Sequence, residues 1–251
     1  QRLLLELGYT ALHHSMHRRA TLMGGDAGVF LGIERPDWAI AQPPVARNSV
    51  YAVTGDNVSA AAGRVSFVLG LKGPCFTINT ACSSSVVALD SACQSLRLGR
   101  CTRALVAGVN LQLHPGAWVG FCAMHALSHD GQCKTFDASA DGLGRGEACG
   151  ALVLRIAIGV CANPRRLGSS AVNQDGRSAS MTAPNGPSQA ELLVAAAKQL
   201  PADWMRCSVE THGTGTPLGD PIEAGALSTA FGKSDSLAAL GILVLGASKS
   251  R

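Results

Sequence analysis

CFTINTACSSSVVALDSACQSLRLG, residues 75–99, changes its hydrophobic rhythm part-way along. Cys75–Asn79 is a short run of strand-forming residues. From Ser83 to Leu98 the apolar residues Val86, Leu89, Cys93 and Leu96 recur every three or four positions, which predicts a helix. Gly99 stands where a helix end favours a residue free to take positive φ. A strand that feeds a helix through only Thr80-Ala81-Cys82 is a joint of a layered α/β fold.

The alternation continues on both sides of this joint. Ala27–Ile33, Ala104–Val109 and Gly150–Leu154 read as strands. Asp56–Gly70 reads as a helix with Val58, Ala61, Ala62, Val65 and Leu69 on one face. Gly168–Gly186 is polar and rich in turn formers, hence a loop. Pro187, Ser188 and Glu191 have the spacing of a capping box opening a helix that runs through Leu193, Ala196, Ala197 and Leu200. Ser208–Glu210 reads as the end of a strand, and Asp220-Pro221-Ile222-Glu223 as a helix start with Asp220 as N-cap. The pattern restarts after about residue 162, which allows two similar halves.

Composition narrows the function. The chain has 251 residues, 47% of them hydrophobic and 15% charged, which supports a sizeable core and excludes intrinsic disorder. Its net charge is +4, with no long basic run and few aromatics, so a nucleic-acid partner is not expected. The longest apolar stretches, Cys149–Ala162 and Leu237–Ala247, fall short of the ~18–20 residues of a membrane span and read as buried strands. The first residues show no initiator Met and no leader pattern, and both ends read as cuts, so a fragment is expected. Nine cysteines, an odd number at irregular spacings and without a C-x-x-C pair, fit a reduced cytoplasmic protein with no metal site.

Three places carry the candidate chemistry. Cys82, at the strand-to-helix joint, has its side chain at the top of the sheet beside the free N–H groups of the helix's first turn, whose dipole favours a thiolate. That is a nucleophile's position, although a structural thiol ahead of a Ser-rich helix start would read the same way. His212 ends a strand and enters the tight loop Gly213-Thr214-Gly215-Thr216-Pro217, which holds it by backbone for proton transfer or hydrogen bonding. A turn stabilised by His, with Thr as ordinary loop residues, is the plainer reading. Lys249 follows a strand, at an end of the sheet where ligands bind, or is simply a solvated surface Lys. Gly142-x-Gly144-x-Gly146 fits neither a dinucleotide nor a P-loop pattern.

Together these segments resemble the β-ketoacyl synthase family, most closely the ketosynthase domains of type I polyketide synthases. The resemblance covers nearly the whole chain: QRLLLE at residue 1, residues 61–99, 127–155 and 170–189, and VETHGTGTPLGDPIEAGAL at 209–227. TACSSS and HGTGTPLGDPIE in that order are highly specific. The resemblance implies a thiolase-like α/β fold of two similar halves, residues 1–161 carrying the nucleophile and 162–251 forming a truncated second half. Cys82 matches the nucleophile that takes an acyl chain from an acyl carrier protein. His212 matches a catalytic His that, with a second His, stabilises the enolate formed as a malonyl thioester loses carbon dioxide. Thr214 and Thr216 match positions that bond the phosphopantetheine arm, Lys249 the active-site Lys, and Glu223 the carboxylate paired with it. Glu223 and Asp220 support the site, Glu223 also reading as a helix cap. No bound cofactor is implied, because phosphopantetheine arrives on the carrier protein. A homodimer is implied, paired through CFTIN.

The chain also departs from the family. Lys249-Ser250 is followed by Arg251 where Asn is usual, the second His is absent, and Ile156–Gly168 is a shorter connection. These departures leave three competing readings beside an elongating synthase. A non-elongating ketosynthase would bind or transfer acyl chains without condensation. A non-catalytic docking domain is opposed by the presence of both Cys82 and His212. A thiolase is opposed by the HGTGTPLGDPIE stretch and the Ser run after Cys82.

Overall fold

The computed structural model describes residues 1–157, 166–200, 208–232 and 244–246. In chain order the elements begin with α1 (Arg2–His14), α2 (Arg19–Leu22), β1 (Gly28–Ile33), α3 (Asp37–Ala41), α4 (Ala52–Asp56), α5 (Ala60–Leu69) and β2 (Cys75–Ile78). They continue with α6 (Ser84–Arg97), β3 (Arg103–Asn110), α7 (Gly116–Ala123), β4 (Ala148–Arg155), α8 (Gly186–Ala197), β5 (Ser208–Glu210), α9 (Gly219–Phe231) and β6 (Val244–Gly246). Two compact units result: Gln1–Pro115 with Gly146–Arg165, and Gly116–Arg145 with Arg166–Arg251.

In the first unit the strand order is β2-β1-β3-β4; β1 is parallel to both β2 and β3, and β4 runs antiparallel to β3. β1 is apolar throughout because helices cover both faces of the sheet. On one face Leu4 and Leu12 of α1 and Ala61, Ala62, Val65 and Leu69 of α5 pack on Val29, Leu31, Leu105 and Ala107. On the other, Ala88, Ala92 and Leu96 of α6 pack on Phe30, Ala104 and Val106. This is the α/β layering expected from the strand–helix rhythm.

Several expectations need correction. The helix expected from Asp56 starts at Ala60, after the separate short helix α4. The buried stripe of α6 is Ser84, Ala88, Ala92, Ser95 and Leu96, and Val86 is 58% exposed. Small residues win that face because the helix crosses the sheet closely. A Cβ on Gly32 would lie 2.5 Å from the Ser85 nitrogen, and one on Gly108 would lie 2.8 Å from the Ser85 Cβ. The strand expected in Cys149–Ala162 ends at Arg155, and its burial alternates because it closes one edge of the sheet.

In the second unit α8 and α9 pack through Ala190, Ala226 and Ala230, flanked by Leu193, Val194 and Phe231, while β5 and β6 pair in parallel. The N-cap of α8 is Asn185, whose side chain accepts from Ser188 N, so no Ser188–Glu191 capping box forms. Asn185 serves because its own amide and side chain are tied to Asp175 in the preceding loop.

Candidate active site

In the first unit β2 ends at Ile78 and the chain turns through Asn79 and Thr80 into a 3-10 turn, Ala81–Ser83, that leads directly into α6. Cys82 lies in this turn as an exposed free thiol. The turn is braced by its own side chains. Asn79 Oδ1 accepts from Ala81 N (3.1 Å), Ser83 Oγ donates to Thr80 O (2.9 Å), and Ser84 Oγ donates to Ala81 O (2.6 Å) while accepting from Thr80 N (2.9 Å). Ala81 adopts φ +54°, a left-handed conformation uncommon for a residue with a Cβ. The Ser run after Cys82 is thus explained physically: two hydroxyls hold the strained turn, and Ser85 is small because Gly32 and Gly108 lie beneath it.

In the second unit β5 leads through buried Thr211 to His212, whose loop is clamped at both ends by carboxylates of α9. Glu223 accepts from His212 N (2.6 Å, Oε1) and Gly213 N (2.9 Å, Oε2). Asp220, 3% exposed, accepts from Gly215 N (3.1 Å) and Phe136 N (2.8 Å). Neither residue caps the helix, contrary to the sequence reading. α9 starts at Gly219, whose amide donates to Thr216 Oγ1 (3.1 Å), and this frees both carboxylates to reach back to the loop. Thr214 and Thr216 meet through their hydroxyls at 3.1 Å. The fold therefore brings His212, Thr214, Thr216, Asp220 and Glu223 together in one loop–helix assembly. Lys249 lies outside the described residues.

A second segment, missed in the sequence, supports the same loop. Thr135 Oγ1 donates to Gly213 O (2.6 Å), and Gly142 N donates to Gly215 O (3.0 Å). Gly215, at φ +73°, packs so closely that a Cβ there would lie 2.5 Å from Lys134 N. The supporting segment is itself held by charge. Lys134 Nζ reaches Asp141 (2.9 Å) and Asp130 (3.2 Å), and Ser128 Oγ lies between the two carboxylates. The Lys134 ammonium, followed by the Ser128 hydroxyl, lowers the Asp141 pKa to about 2, and Asp141 in turn raises that of Lys134. Isolated charges among turn formers carry no periodicity, so nothing in residues 128–141 marked them as a brace.

Among the described residues no group of three or more His, Cys, Asp and Glu is placed to hold a metal ion. No helix among them is long and apolar enough to cross a membrane.

Residues 1–157 match the family described as beta-ketoacyl synthase, N-terminal domain, and residues 166–251 its C-terminal domain. The type I polyketide synthase of phenolphthiocerol synthesis from Mycobacterium marinum is 43% identical over 238 residues, 93% of this chain and 11% of that protein. Polyketide synthase GfsE of Streptomyces halstedii is 44% identical over 241 residues, 93% of this chain and 6% of that protein. The ketosynthase from module 6 of the bacillaene synthase of Bacillus subtilis 168 superposes with TM-score 0.82 at 36% identity, covering 99% of this chain and 43% of that one. The oxazolomycin ketosynthase domain OzmH KS7 of Streptomyces albus JA3453 gives 0.86 at 32%, covering 99% and 45%. The fold is therefore thiolase-like, and the chain spans about a tenth or less of these curated relatives and under half of either solved chain.

Proposed function

The chain belongs to the β-ketoacyl synthase family, and from that premise we propose that it carries out the decarboxylative Claisen condensation of a polyketide-type ketosynthase. The observation that carries this reading is Cys82, an exposed thiol in a side-chain-braced turn at the start of α6. The Cys82 thiolate attacks the carbonyl of an acyl thioester on an acyl carrier protein. A new C–S bond forms, the thioester C–S bond breaks, and the carrier's phosphopantetheine leaves as a thiolate that takes up the proton Cys82 had released. No cofactor is bound by the chain itself; the phosphopantetheine belongs to the carrier.

A malonyl thioester on the carrier protein then binds, its arm taken by the hydroxyls of Thr214 and Thr216. As carbon dioxide leaves, the electron pair of the broken C–C bond becomes an enolate. His212 holds the enolate oxygen, together with the second His that the family carries. The enolate carbon attacks the acyl-Cys carbonyl and expels the Cys82 thiolate, leaving a β-ketoacyl thioester on the carrier. Glu223 and Asp220 serve by fixing the backbone on either side of His212. Lys249 completes the polar set by resemblance. The setting is cytoplasmic, with the seven described cysteines as free thiols, and the working form is a homodimer.

Incubation with a radioactive acyl thioester tests the nucleophile. Cys82→Ala abolishes covalent labelling, and retained label places the nucleophile elsewhere. His212→Ala keeps the label and loses carbon dioxide release from malonyl carrier protein. Arg251, standing where the family has Asn, favours a second reading, a non-elongating domain that acylates Cys82 and goes no further. In that case the native chain takes label yet releases no carbon dioxide.

A further inference from the structure

The three parallel strands of the first unit end level: Ile78 of β2 pairs with Gly32 of β1, and Ile33 of β1 with Val109 of β3. Their exit loops share one end of the sheet, the end at which open α/β sheets bind ligands, and the turn bearing Cys82 is one of them. The loop after β3, residues 111–115, is held there by side chains. Three consecutive amides go to two carboxylates: Gln112 N donates to Glu147 Oε1 (2.6 Å), while Leu113 N (2.9 Å) and His114 N (3.3 Å) both donate to Asp37 Oδ2. From this arrangement we propose that Asp37 and Glu147 are positioning residues for acyl transfer to Cys82, fixing the loop against which the incoming acyl chain is held.

Both carboxylates stand on a frame that the sheet already fixes. Asp37 opens α3, 76 residues before Leu113, and Glu147 stands just ahead of β4. Asn110 Nδ2 donates to Gly146 O (2.8 Å) and Ala148 pairs with Asn110, so the β3–β4 ladder sets the place of Glu147. Asn79 connects the Cys82 turn to the same frame. Its Oδ1 accepts from Ala81 N, and its Nδ2 donates to Glu34 O (3.4 Å) in the segment that leads from β1 to Asp37. Side-chain hydrogen bonds thus brace all three exit loops, from the Cys82 turn to the loop after β3.

The chemistry of the clamp suits this role. An ionised carboxylate only accepts, and its bonds to amides are stronger than those between neutral groups. Two carboxylates on three adjacent amides restrict the loop before a ligand arrives, so less ordering is charged against binding. Beside the clamp, Trp38 follows Asp37 and is 64% exposed, and Leu113, whose amide Asp37 holds, is 44% exposed. They supply apolar surface at the end of the sheet where Cys82 receives its acyl group. A surface preformed in this way acts on the substrate concentration needed rather than on the rate at saturation. The role rests on the reading of Cys82 as the residue that is acylated.

Labelling of Cys82 in the 251-residue chain by radioactive acetyl and hexanoyl thioesters of N-acetylcysteamine, each over a range of concentrations, tests the role. Iodoacetamide alkylation of the same thiol serves as a reaction that needs no chain contact. Asp37→Ala is expected to raise the half-saturating hexanoyl concentration by about tenfold and the acetyl one by less. The rate at saturation and the alkylation rate stay within about twofold of the native chain. Asp37→Asn, which keeps an oxygen acceptor, recovers most of the loss. Glu147→Ala acts in the same sense, and the double variant loses less than the product of the two, because both residues hold one loop. Unchanged hexanoyl dependence in Asp37→Ala overturns the proposal. So does a parallel fall in alkylation, which would mean that the turn itself is lost, or a loss that Asp37→Asn does not recover. A native chain without label at Cys82 removes the acyl-transfer reading and this role with it, whereas native labelling with an unaltered Asp37→Ala chain removes the role alone.

Discussion

Ala81 is the residue on which the geometry of the turn bearing Cys82 depends most directly. Its φ of +54° costs on the order of 1 kcal/mol for a side chain with a Cβ, and the turn keeps it because Asn79, Ser83 and Ser84 each bond across it. A β-branched side chain tolerates this region worst. Ala81→Val is therefore expected to lower urea stability by about 1–3 kcal/mol and to slow acylation of Cys82. Ala81→Gly is expected to stay within about 1 kcal/mol of the native chain, since relief of strain and gain of unfolded-state entropy oppose each other. Equal losses in both variants would show that the strain is not what holds the turn. Glu223 is the corresponding residue beside His212. Glu223→Ala leaves the His212 and Gly213 amides without their acceptor, and about 2–4 kcal/mol of local stability goes with it. Carbon dioxide release from malonyl carrier protein is expected to fall by about tenfold or more while Cys82 labelling persists, and Glu223→Gln, which keeps one acceptor oxygen, recovers part of it. Parallel loss of labelling and decarboxylation would point instead to general unfolding.

At the scale of elements, the segment bearing Ser128, Asp130, Lys134 and Asp141 acts as a brace for the His212 loop through Thr135 and Gly142. Its charge network predicts a definite pH dependence. Asp141 has a pKa of about 2 when folded, below the ordinary 3.8, so its stabilising share is complete above the ordinary value and vanishes as pH falls through about 2. Lys134 is raised above its ordinary value, so its share is complete below about 10.5 and disappears only as pH climbs past the folded value. The stability difference between native chain and Asp141→Asn is thus expected to be constant across neutral pH and to shrink to nothing in strong acid. A difference that grew on acidification would reverse the sign and remove the brace. The strands and most helices were legible because period and punctuation agree in them: β1, β2, β3 and Gly99 fall where the residues put them. The face of α6 was not, because the start of the helix is packed tightly, at Ser84 and Ser85, onto Gly32 of β1 and Gly108 of β3, contacts on other elements that leave no periodic pattern in α6 itself.

For the whole molecule, the sequence motifs singled out Cys82, His212, Thr214 and Thr216 as candidates without showing what holds them. Glu223 and Asp220 read as helix signals, yet they spend their carboxylates on backbone amides ten and five residues upstream of them. Such return contacts are set by tertiary folding and leave no local pattern. The homodimer implied by the resemblance remains a question of exposed surface. β2 is one edge strand of the four-stranded sheet; its own Phe76 is 48% exposed, and Phe67 of the neighbouring α5 is 87% exposed. A strand edge with large apolar side chains around it invites pairing with a second copy, whose twofold symmetry would repeat each contact. Phe67→Asp leaves the core of α5 intact, since Ala61, Ala62, Val65 and Leu69 carry its buried stripe. Sedimentation of the native chain should therefore show a dimer, and the Phe67→Asp chain a monomer with unchanged circular dichroism. A native chain that sediments as a monomer at every concentration would remove the dimer from the proposed function. A dimer indifferent to Phe67→Asp would move the interface away from this face, while the reaction assigned to Cys82 and His212 would stand or fall on its own tests.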